Sequence, residues 1–250
     1  MNCRPWALVA ALALVVSACS GPRRSPAPAP APPGPTGVYA AVGASETIGD
    51  GTAEPLREAW PQLVFGAMPG SVSFVNLGFR GATTADAITR ELPVAESVHP
   101  SVATVWLNVN DLIDGVNAPD YQAHLRTILG RLRATGAAVY VANTPALDHL
   151  PIYLACSQTA ASACPAGVPD PLPPPVVLNG MVDAYNAATV DAATATGSKV
   201  VDLHAASLAA RADGSEATLI SADGFHPSAA GARRIADTFI AALRATHAIP

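Results

Sequence analysis

Short β-rich runs alternate with longer helical patterns from Gly37 to the end of the chain, and this alternation constrains the fold more than any other feature. Two parallel strands need a long crossover between them, and a helix is the usual crossover. The pattern therefore predicts an α/β fold, a three-layer α/β/α sandwich with a parallel five-stranded sheet. The predicted strands are 38–42, 71–75, 103–107, 138–142 and 199–202, and the predicted helices are 55–65, 84–92, 119–135, 176–196 and 227–245.

The loops after the first three predicted strands have the composition of a functional site. The carboxyl ends of parallel strands lie along one edge of a sheet, so loops 44–53, 76–83 and 108–117 are expected to converge there. All three are rich in Gly, Asn, Ser, Thr and Asp. Ser45 follows the first strand almost directly. On this stretch alone, Ser45 is either a nucleophile or a residue that caps the next turn.

The run Asp-Gly-Phe-His-Pro at 223–227 offers the partners that a hydrolytic serine needs. Such a serine requires a base to take its proton and a carboxylate to orient that base. The spacing lets Asp223 reach one imidazole nitrogen of His226 while the other nitrogen faces outward. Two other histidines have a predicted place. His204 follows the fifth strand and can approach the same carboxyl edge of the sheet, whereas His124 is expected on a helix surface.

Four blocks of the chain, taken in order, resemble the SGNH or GDSL-like esterases and lipases. Residues 43–45 are similar to the first block, 76–84 to the second, 108–111 to the third and 223–227 to the fifth. The resemblance covers roughly residues 37–247 and implies the flavodoxin-like SGNH hydrolase fold. It also implies a triad of Ser45, Asp223 and His226, and an oxyanion hole formed by the N–H groups of Ser45 and Gly81 and the side-chain amide of Asn110, with Gly78 as the alternative to Gly81.

Three positions depart from the pattern of that family. Its usual Gly-Asp-Ser-Leu reads Gly-Ala-Ser-Glu here, so an acidic residue is lost at Ala44 and one is gained at Glu46, and Asn108 stands where the third block usually has glycine. None of these positions belongs to the implied triad or to a donor of the implied oxyanion hole. The α/β-hydrolase elbow, Gly-x-Ser-x-Gly, does not fit, because its last glycine is Thr47 here.

These residues together predict a serine esterase or lipase that cleaves small or medium acyl esters through an acyl-enzyme, without metal or cofactor. One alternative is a deacetylase of envelope or polysaccharide O-acetyl esters, which uses the same machinery, although 5% aromatic residues weakly disfavour a glycan-stacking cleft. A second alternative is a non-catalytic ligand-binding domain. The net charge of −5, without a basic stripe, argues against nucleic acid as a partner. We expect a monomer.

The amino-terminal residues predict export and attachment to a membrane. Residues 1–18 combine Arg4 with an apolar core that is too short to span a bilayer, as in a signal peptide. Val16-Ser17-Ala18-Cys19 resembles a bacterial lipobox, in which the cysteine carries lipid; an ordinary cleaved signal is the alternative. Residues 19–36 are dominated by Ala-Pro repeats and predict an extended tether. The expected arrangement is a signal peptide (1–18), a tether lipidated at Cys19 (19–36) and a hydrolase domain (37–250), at the cell membrane or outer envelope, or otherwise secreted.

The segment 146–175 is unusually long for a connection from a strand to a helix. It carries Cys156 and Cys164, which remain as an isolated pair once Cys3 is removed and Cys19 is lipidated. In an oxidising compartment such a pair predicts a disulfide, and no neighbouring histidine supports a metal site. Because the segment leaves the carboxyl end of the fourth strand, it either walls the acyl pocket or is a surface insertion. Its Asp148 and His149 are expected to make only a minor polar contact.

Overall fold

The structure, a computed structural model, describes residues 37–158, 164 and 171–250. The predicted signal peptide, the tether and Cys19 lie outside these residues, as do parts of the segment 146–175. No helix in the described part of the chain is both long enough and apolar enough to cross a membrane.

Five parallel strands form one sheet in the order β2-β1-β3-β4-β5, which confirms the predicted fold class. Strand β1 lies between β2 and β3, and most of its residues are buried, as is typical of a parallel strand covered on both faces. Every strand boundary lies within one residue of its prediction. The strands are β1 (Gly37–Gly43), β2 (Val72–Asn76), β3 (Val102–Trp106), β4 (Ala138–Ala142) and β5 (Lys199–Val201).

Helices of very different length connect the strands. The three longest, α7 (Ala118–Ala134), α9 (Pro175–Thr196) and α12 (Ala229–Ala245), match predicted helices to within two residues at each end. The others are α1 (Ser45–Ile48), α2 (Pro55–Glu58), α3 (Trp60–Gly66), α4 (Thr84–Arg90), α5 (Leu92–Ser97), α6 (Val109–Ile113), α8 (Pro151–Gln158), α10 (Leu203–Ala212) and α11 (Glu216–Leu219).

Two predicted helices are wrong in their extent, and a proline accounts for each error. The predicted helix 55–65 breaks at Ala59, and Pro61 takes the second position of α3. The predicted helix 84–92 ends at Arg90, and Pro93 takes the second position of α5. Proline has no N–H to continue a hydrogen-bond ladder but is well tolerated in a first turn, so the chain ends one helix and starts another.

Helices cover both faces of the sheet, and each face has its own hydrophobic core. Successive strand residues point to opposite faces, so β1 contributes Val42 to one core and Tyr39 to the other. The first core packs against α4, α5, α7 and α9. The second is built around Trp60 of α3 and Phe239 of α12, whose rings stack with centroids 4.5 Å apart. With both faces covered, the loops at the carboxyl edge of the sheet are left to form a site.

Candidate active site

Ser45 is the first residue of α1, which begins just after β1 ends at Gly43. A Cβ at Gly43 would lie 2.1 Å from Thr47 Oγ1 and 2.9 Å from the carbonyl oxygen of Trp106, so only glycine fits this tight turn. Ser45 is 7% exposed and lines a cavity of about 1080 Å³. Its N–H belongs to the first helical turn, where a helix offers no acceptor.

The structure brings Ser45, His226 and Asp223 together in the order that the Asp-x-x-His spacing predicts. Ser45 Oγ lies 2.9 Å from His226 Nε2. On the other side of the ring, His226 Nδ1 lies 2.7 Å from Asp223 Oδ2. The imidazole therefore links a serine hydroxyl to a carboxylate, as in a serine hydrolase triad.

Asp223 is held in its ionised form by a dense set of hydrogen bonds. Its Oδ1 accepts from the hydroxyl of Ser221 at 2.7 Å and from the N–H groups of Phe225 and His226 at 2.8 and 2.9 Å. Burial by itself raises the pKa of Asp223, but these donors and the imidazole outweigh burial and lower that pKa from 3.8 to about 2. The carboxylate therefore keeps its charge at neutral pH, where it can stabilise an imidazolium.

Gly81 and Asn110 line the same cavity as Ser45 and His226. Gly81 has a φ of +74°, which favours glycine, and its N–H makes no hydrogen bond to any described residue. Asn110 Nδ2 donates to the carbonyl of Ala82 at 3.0 Å, which leaves its second amide hydrogen for a ligand. Gly78 is a poor alternative, since its N–H already donates to Asn76 Oδ1 at 3.1 Å.

A buried carboxylate ties the loop of Gly81 to the loop of Asn110. Asp111, which has no exposed surface, accepts hydrogen bonds from the N–H and the hydroxyl of Thr84 at the start of α4. The same hydroxyl lies 3.1 Å from His124 Nδ1 on α7. His124 lies on helix α7, as predicted, and its imidazole is partly buried where α7 packs against α4.

Two further carboxyl groups lie close to the serine, and no sequence pattern predicts their contacts. Glu46 Oε2 is 3.2 Å from Ser45 Oγ, and burial raises the pKa of Glu46. Glu91, 2% exposed, accepts the N–H of Gly43 at 2.8 Å through Oε2. Burial, reinforced by the charge of Glu46 and partly offset by the Gly43 hydrogen bond, raises the pKa of Glu91 from 4.5 to about 8. Both carboxyl groups therefore contact the turn from Gly43 to Ser45.

Among the described residues, His226 is the one histidine in hydrogen-bond contact with Ser45. His204, the alternative, turns its Nδ1 to the carbonyl of Thr144 at 3.1 Å instead. His149 and Asp148 do more than the minor contact expected of them. Asp148 pairs with Arg211 at 2.9 Å, and His149 lies 3.5 Å from Glu216, which also pairs with Arg211. These ion pairs fasten the start of the segment 146–175 to α10 and α11.

The segment 146–175 borders the site, as one of the two interpretations predicts. Leu147, Leu150, Ile152 and Tyr153 line the cavity that contains Ser45. Cys156 and Cys164 are joined in the predicted disulfide, with Cα atoms 5.5 Å apart. Within the described residues, no group of three or more His, Cys, Asp or Glu side chains is arranged to hold a metal ion.

Comparison with known families decides the identity of the chain. The sequence model of the GDSL-like Lipase/Acylhydrolase family matches residues 41–234, a range that contains Ser45, Gly81, Asn110, Asp223 and His226. The chain belongs to this family. It is therefore a carboxylic ester hydrolase of the GDSL-like esterase and lipase group, as its motifs predict.

Solved structures of esterases share the fold of this GDSL-like hydrolase at low sequence identity. An acetyl-xylooligosaccharide esterase mutant from Geobacillus stearmophilus is 20% identical, with a TM-score of 0.63 over 85% of this chain and 94% of that one. A psychrotrophic esterase from Pseudoalteromonas sp. is 15% identical, with a TM-score of 0.60 over 83% and 96%. Phospholipase A1 from Streptomyces albidoflavus is 21% identical, with a TM-score of 0.56 over 84% and 99%. No curated protein sequence matches the chain significantly.

Proposed function

We propose that this GDSL-like hydrolase cleaves carboxylic esters of small or medium acyl chains through an acyl-enzyme on Ser45. The observation that carries the proposal is the line of contacts from Ser45 Oγ to His226 (2.9 Å) and from His226 to Asp223 (2.7 Å). This line of contacts ends at the cavity that Gly81 and Asn110 also line. An ester carbonyl bound in that cavity therefore has hydrogen-bond donors within reach.

In the proposed acylation step, His226 takes the hydroxyl proton of Ser45 while Oγ attacks the carbonyl carbon of the ester. The negative charge that develops on the carbonyl oxygen is received by the N–H groups of Ser45 and Gly81 and by the amide of Asn110. Asp223 orients His226 and stabilises the imidazolium. The bond from carbon to the alcohol oxygen then breaks, and His226 gives its proton to the departing alcohol.

Deacylation repeats the same chemistry with water as the nucleophile. His226 takes a proton from a water molecule, and the resulting hydroxide attacks the acyl carbon. Collapse of the second tetrahedral intermediate returns the proton to Ser45 Oγ and releases the carboxylic acid. Every proton in the cycle passes through His226 Nε2, the nitrogen that faces Ser45.

Hydrolysis of p-nitrophenyl esters of graded chain length tests this proposal. We expect Ser45→Ala to lose about 10⁶-fold in kcat, as in enzymes whose triad acts as a unit. Ser97→Ala, an exposed serine on α5, is the matched control and should keep the wild-type rate. Equal rates for the wild type and Ser45→Ala would contradict the proposal. Activity limited to the acetate ester would favour the deacetylase alternative instead.

We also propose that the hydrolase is an exported lipoprotein, held as a monomer at the cell envelope by lipid on Cys19. The support is the lipobox-like run 16–19 behind an apolar core, followed by the Ala-Pro tether. The disulfide between Cys156 and Cys164 is in keeping with an oxidising compartment outside the cytoplasm.

A further inference from the structure

A second cavity, of about 400 Å³, adjoins the triad on the side of α10, α11 and α12. We name it the α10–α12 cavity, and the 1080 Å³ space in front of Ser45 the wide cavity. Both volumes fall within or close to the range of small-molecule pockets, roughly 300–1,000 Å³. The walls of the α10–α12 cavity are mostly aliphatic and include Leu147, Leu154, Leu203, Ala206, Leu219 and Ile235.

The α10–α12 cavity reaches the reacting centre. His226 and Asn110 line both cavities, and Glu46 lines the α10–α12 cavity alone. Ser45 Oγ lies 2.9 Å from His226 Nε2 and 3.2 Å from Glu46 Oε2. The atom to which an acyl group would be bonded, Ser45 Oγ, therefore lies within hydrogen-bond distance of two residues that line the α10–α12 cavity.

The charged groups in the walls of the α10–α12 cavity already have partners. Glu216 pairs with Arg211 at 3.1 Å and lies 3.5 Å from His149. Arg234 lies 3.7 Å from Asp213, and Glu46 contacts the serine hydroxyl. An ionic ligand would have to break these contacts, whereas a hydrocarbon chain would bury apolar surface against Leu and Ile side chains at no such cost. The cavity thus suits an uncharged aliphatic group.

The wide cavity is also lined mostly by apolar side chains, among them Leu172, Leu178 and Met181. It differs from the α10–α12 cavity in that the Asp50–Arg80 ion pair and Asp114 lie on its wall, where a polar alcohol and water can contact them. It also contains Ser45, Gly81 and the triad, so an alcohol that takes its proton from His226 can leave through it. The water needed for deacylation can enter by the same route while the acyl group stays on Ser45.

We propose that the α10–α12 cavity binds the acyl chain of a medium-chain ester, and that the alcohol occupies the wide cavity. This rests on the proposed acyl-enzyme at Ser45 and specifies which half of the substrate each cavity receives. In acylation the carbon–alcohol bond breaks, a carbon–Oγ bond forms and the alcohol leaves with a proton from His226, so only the group in the α10–α12 cavity remains attached.

Two pairs of variants test the assignment of the cavities. Ala206→Leu adds bulk inside the α10–α12 cavity, and Ala205→Leu makes the same change on the exposed side of the same helix. Val177→Trp adds bulk at the wide cavity, and Val176→Trp does so at the neighbouring exposed position. Each variant is assayed on p-nitrophenyl acetate, butyrate, octanoate and laurate, and on octanoate esters of methanol, glycerol and benzyl alcohol, after its melting temperature is measured.

We expect Ala206→Leu to lower the ratio of kcat/KM for octanoate to that for acetate by on the order of 10-fold, because loss of room for a methylene group in an apolar pocket has effects of that size. Val177→Trp should change the preference among alcohols and leave the acyl-length profile as in the wild type. Should Ala206→Leu fail to fold, Ala217→Leu adds bulk to the same cavity from an exposed position on α11.

An unchanged octanoate-to-acetate ratio in the folded cavity variants would overturn the assignment, as would a change in acyl-length profile confined to Val177→Trp. Either result would leave the esterase proposal standing, provided that the wild type hydrolyses these esters and Ser45→Ala does not. The absence of ester hydrolysis by the wild type would instead overturn the proposed function itself.

Discussion

The hydroxyl of Ser45 lies between two acceptors, and its single proton can be donated to only one of them at a time. His226 Nε2 is 2.9 Å away and Glu46 Oε2 is 3.2 Å away. His226 is the acceptor that is in turn bonded to a carboxylate, Asp223, and so can carry the proton through the cycle. Glu46 has no such connection to the imidazole by hydrogen bonds.

This difference predicts a large loss of activity for one carboxylate variant and a small change for another. Asp223→Asn should lower kcat by about 10³–10⁴-fold, because the imidazole loses its charged partner at Nδ1 and the tautomer that the serine needs. Glu46→Leu, which installs the residue usual in the family, should stay within about 10-fold of the wild type. Steady-state kinetics on p-nitrophenyl butyrate measures both, with Asp237→Asn, an exposed carboxylate on α12, as control. A loss for Glu46→Leu as large as that for Asp223→Asn would place Glu46 in the catalytic machinery.

Glu91 makes folding depend on pH in the neutral range. Its pKa is about 8 in the folded protein and 4.5 as the ordinary value. Because the folded state holds the extra proton, the stability from this group is fully present below pH 4.5 and is lost as the pH rises towards 8. This difference between the two pKa values of Glu91 corresponds to at most about 5 kcal/mol in the free energy of unfolding.

Glu91→Gln should therefore flatten this part of the stability profile. Glutamine keeps an acceptor for the N–H of Gly43 but has no proton to lose. Urea unfolding at pH 5 and at pH 8 measures the effect, with Glu54→Gln, an exposed position, as control. The wild type should lose more stability between the two pH values than Glu91→Gln does. Parallel losses in both proteins would show that Glu91 does not titrate in this range.

The sequence does not predict the side-chain contacts of Glu46, Glu91 and Asp111. Glu91 directly follows α4 and carries a charge that would ordinarily lie at the surface, yet it is buried and accepts the N–H of Gly43 at the end of β1. Asp111 and Thr84 are 27 residues apart, and they meet because the loops after β2 and β3 lie at the same edge of the sheet. Such contacts depend on how elements are packed, which periodicity within one element does not encode.

At the level of elements, the strands were predictable and the short helices were not. Each strand is a run of apolar residues that stands out from polar loops, so its bounds fell within one residue of the prediction. Helix α10 begins directly after Asp202, a residue that the predicted strand 199–202 includes, so no loop marks its start in the sequence. Its position matters for function, because it forms one wall of the α10–α12 cavity.

The disulfide between Cys156 and Cys164 supports the segment that borders both cavities. Replacing both cysteines by serine removes a cross-link between positions eight apart, and we expect a loss of about 2–3 kcal/mol in the free energy of unfolding. Guanidinium denaturation of the double variant and the wild type measures this loss. Intact mass after alkylation, with and without reductant, reports the bridge directly. Alkylation of both cysteines without reductant would contradict the disulfide.

For the molecule as a whole, the sheet explains why the grouping of the candidate site residues was largely predictable. A parallel sheet sends the loops after β1, β2 and β3 to one edge, so Ser45, Gly81 and Asn110 meet there although they are far apart in sequence. The Asp-x-x-His run is local, so its geometry with Ser45 depended only on the last loop reaching the same edge. The division of the edge into two cavities was not predictable, because it depends on where α10, α11 and the segment 146–175 pack.

The proposed lipid anchor predicts where the whole protein is found in a bacterial cell. Cys19→Ser removes the thiol that would carry lipid and should move the protein from the membrane fraction to the soluble fraction. Fractionation and immunoblotting of the two proteins measure the change, with Cys3→Ser as control. Unchanged membrane association of Cys19→Ser would contradict the anchor.

Covalent trapping with a fluorophosphonate ester is the sharpest test of Ser45 as the nucleophile, because such a reagent reacts with a serine that an adjacent base activates. We expect one phosphonyl group per wild-type chain, located on Ser45 by peptide mass spectrometry, with matching loss of esterase activity. Ser45→Ala should remain unmodified, and Asp223→Asn should react far more slowly than the wild type. Modification of Ser45→Ala at the wild-type rate, or full inactivation without a label on Ser45, would contradict Ser45 as the nucleophile.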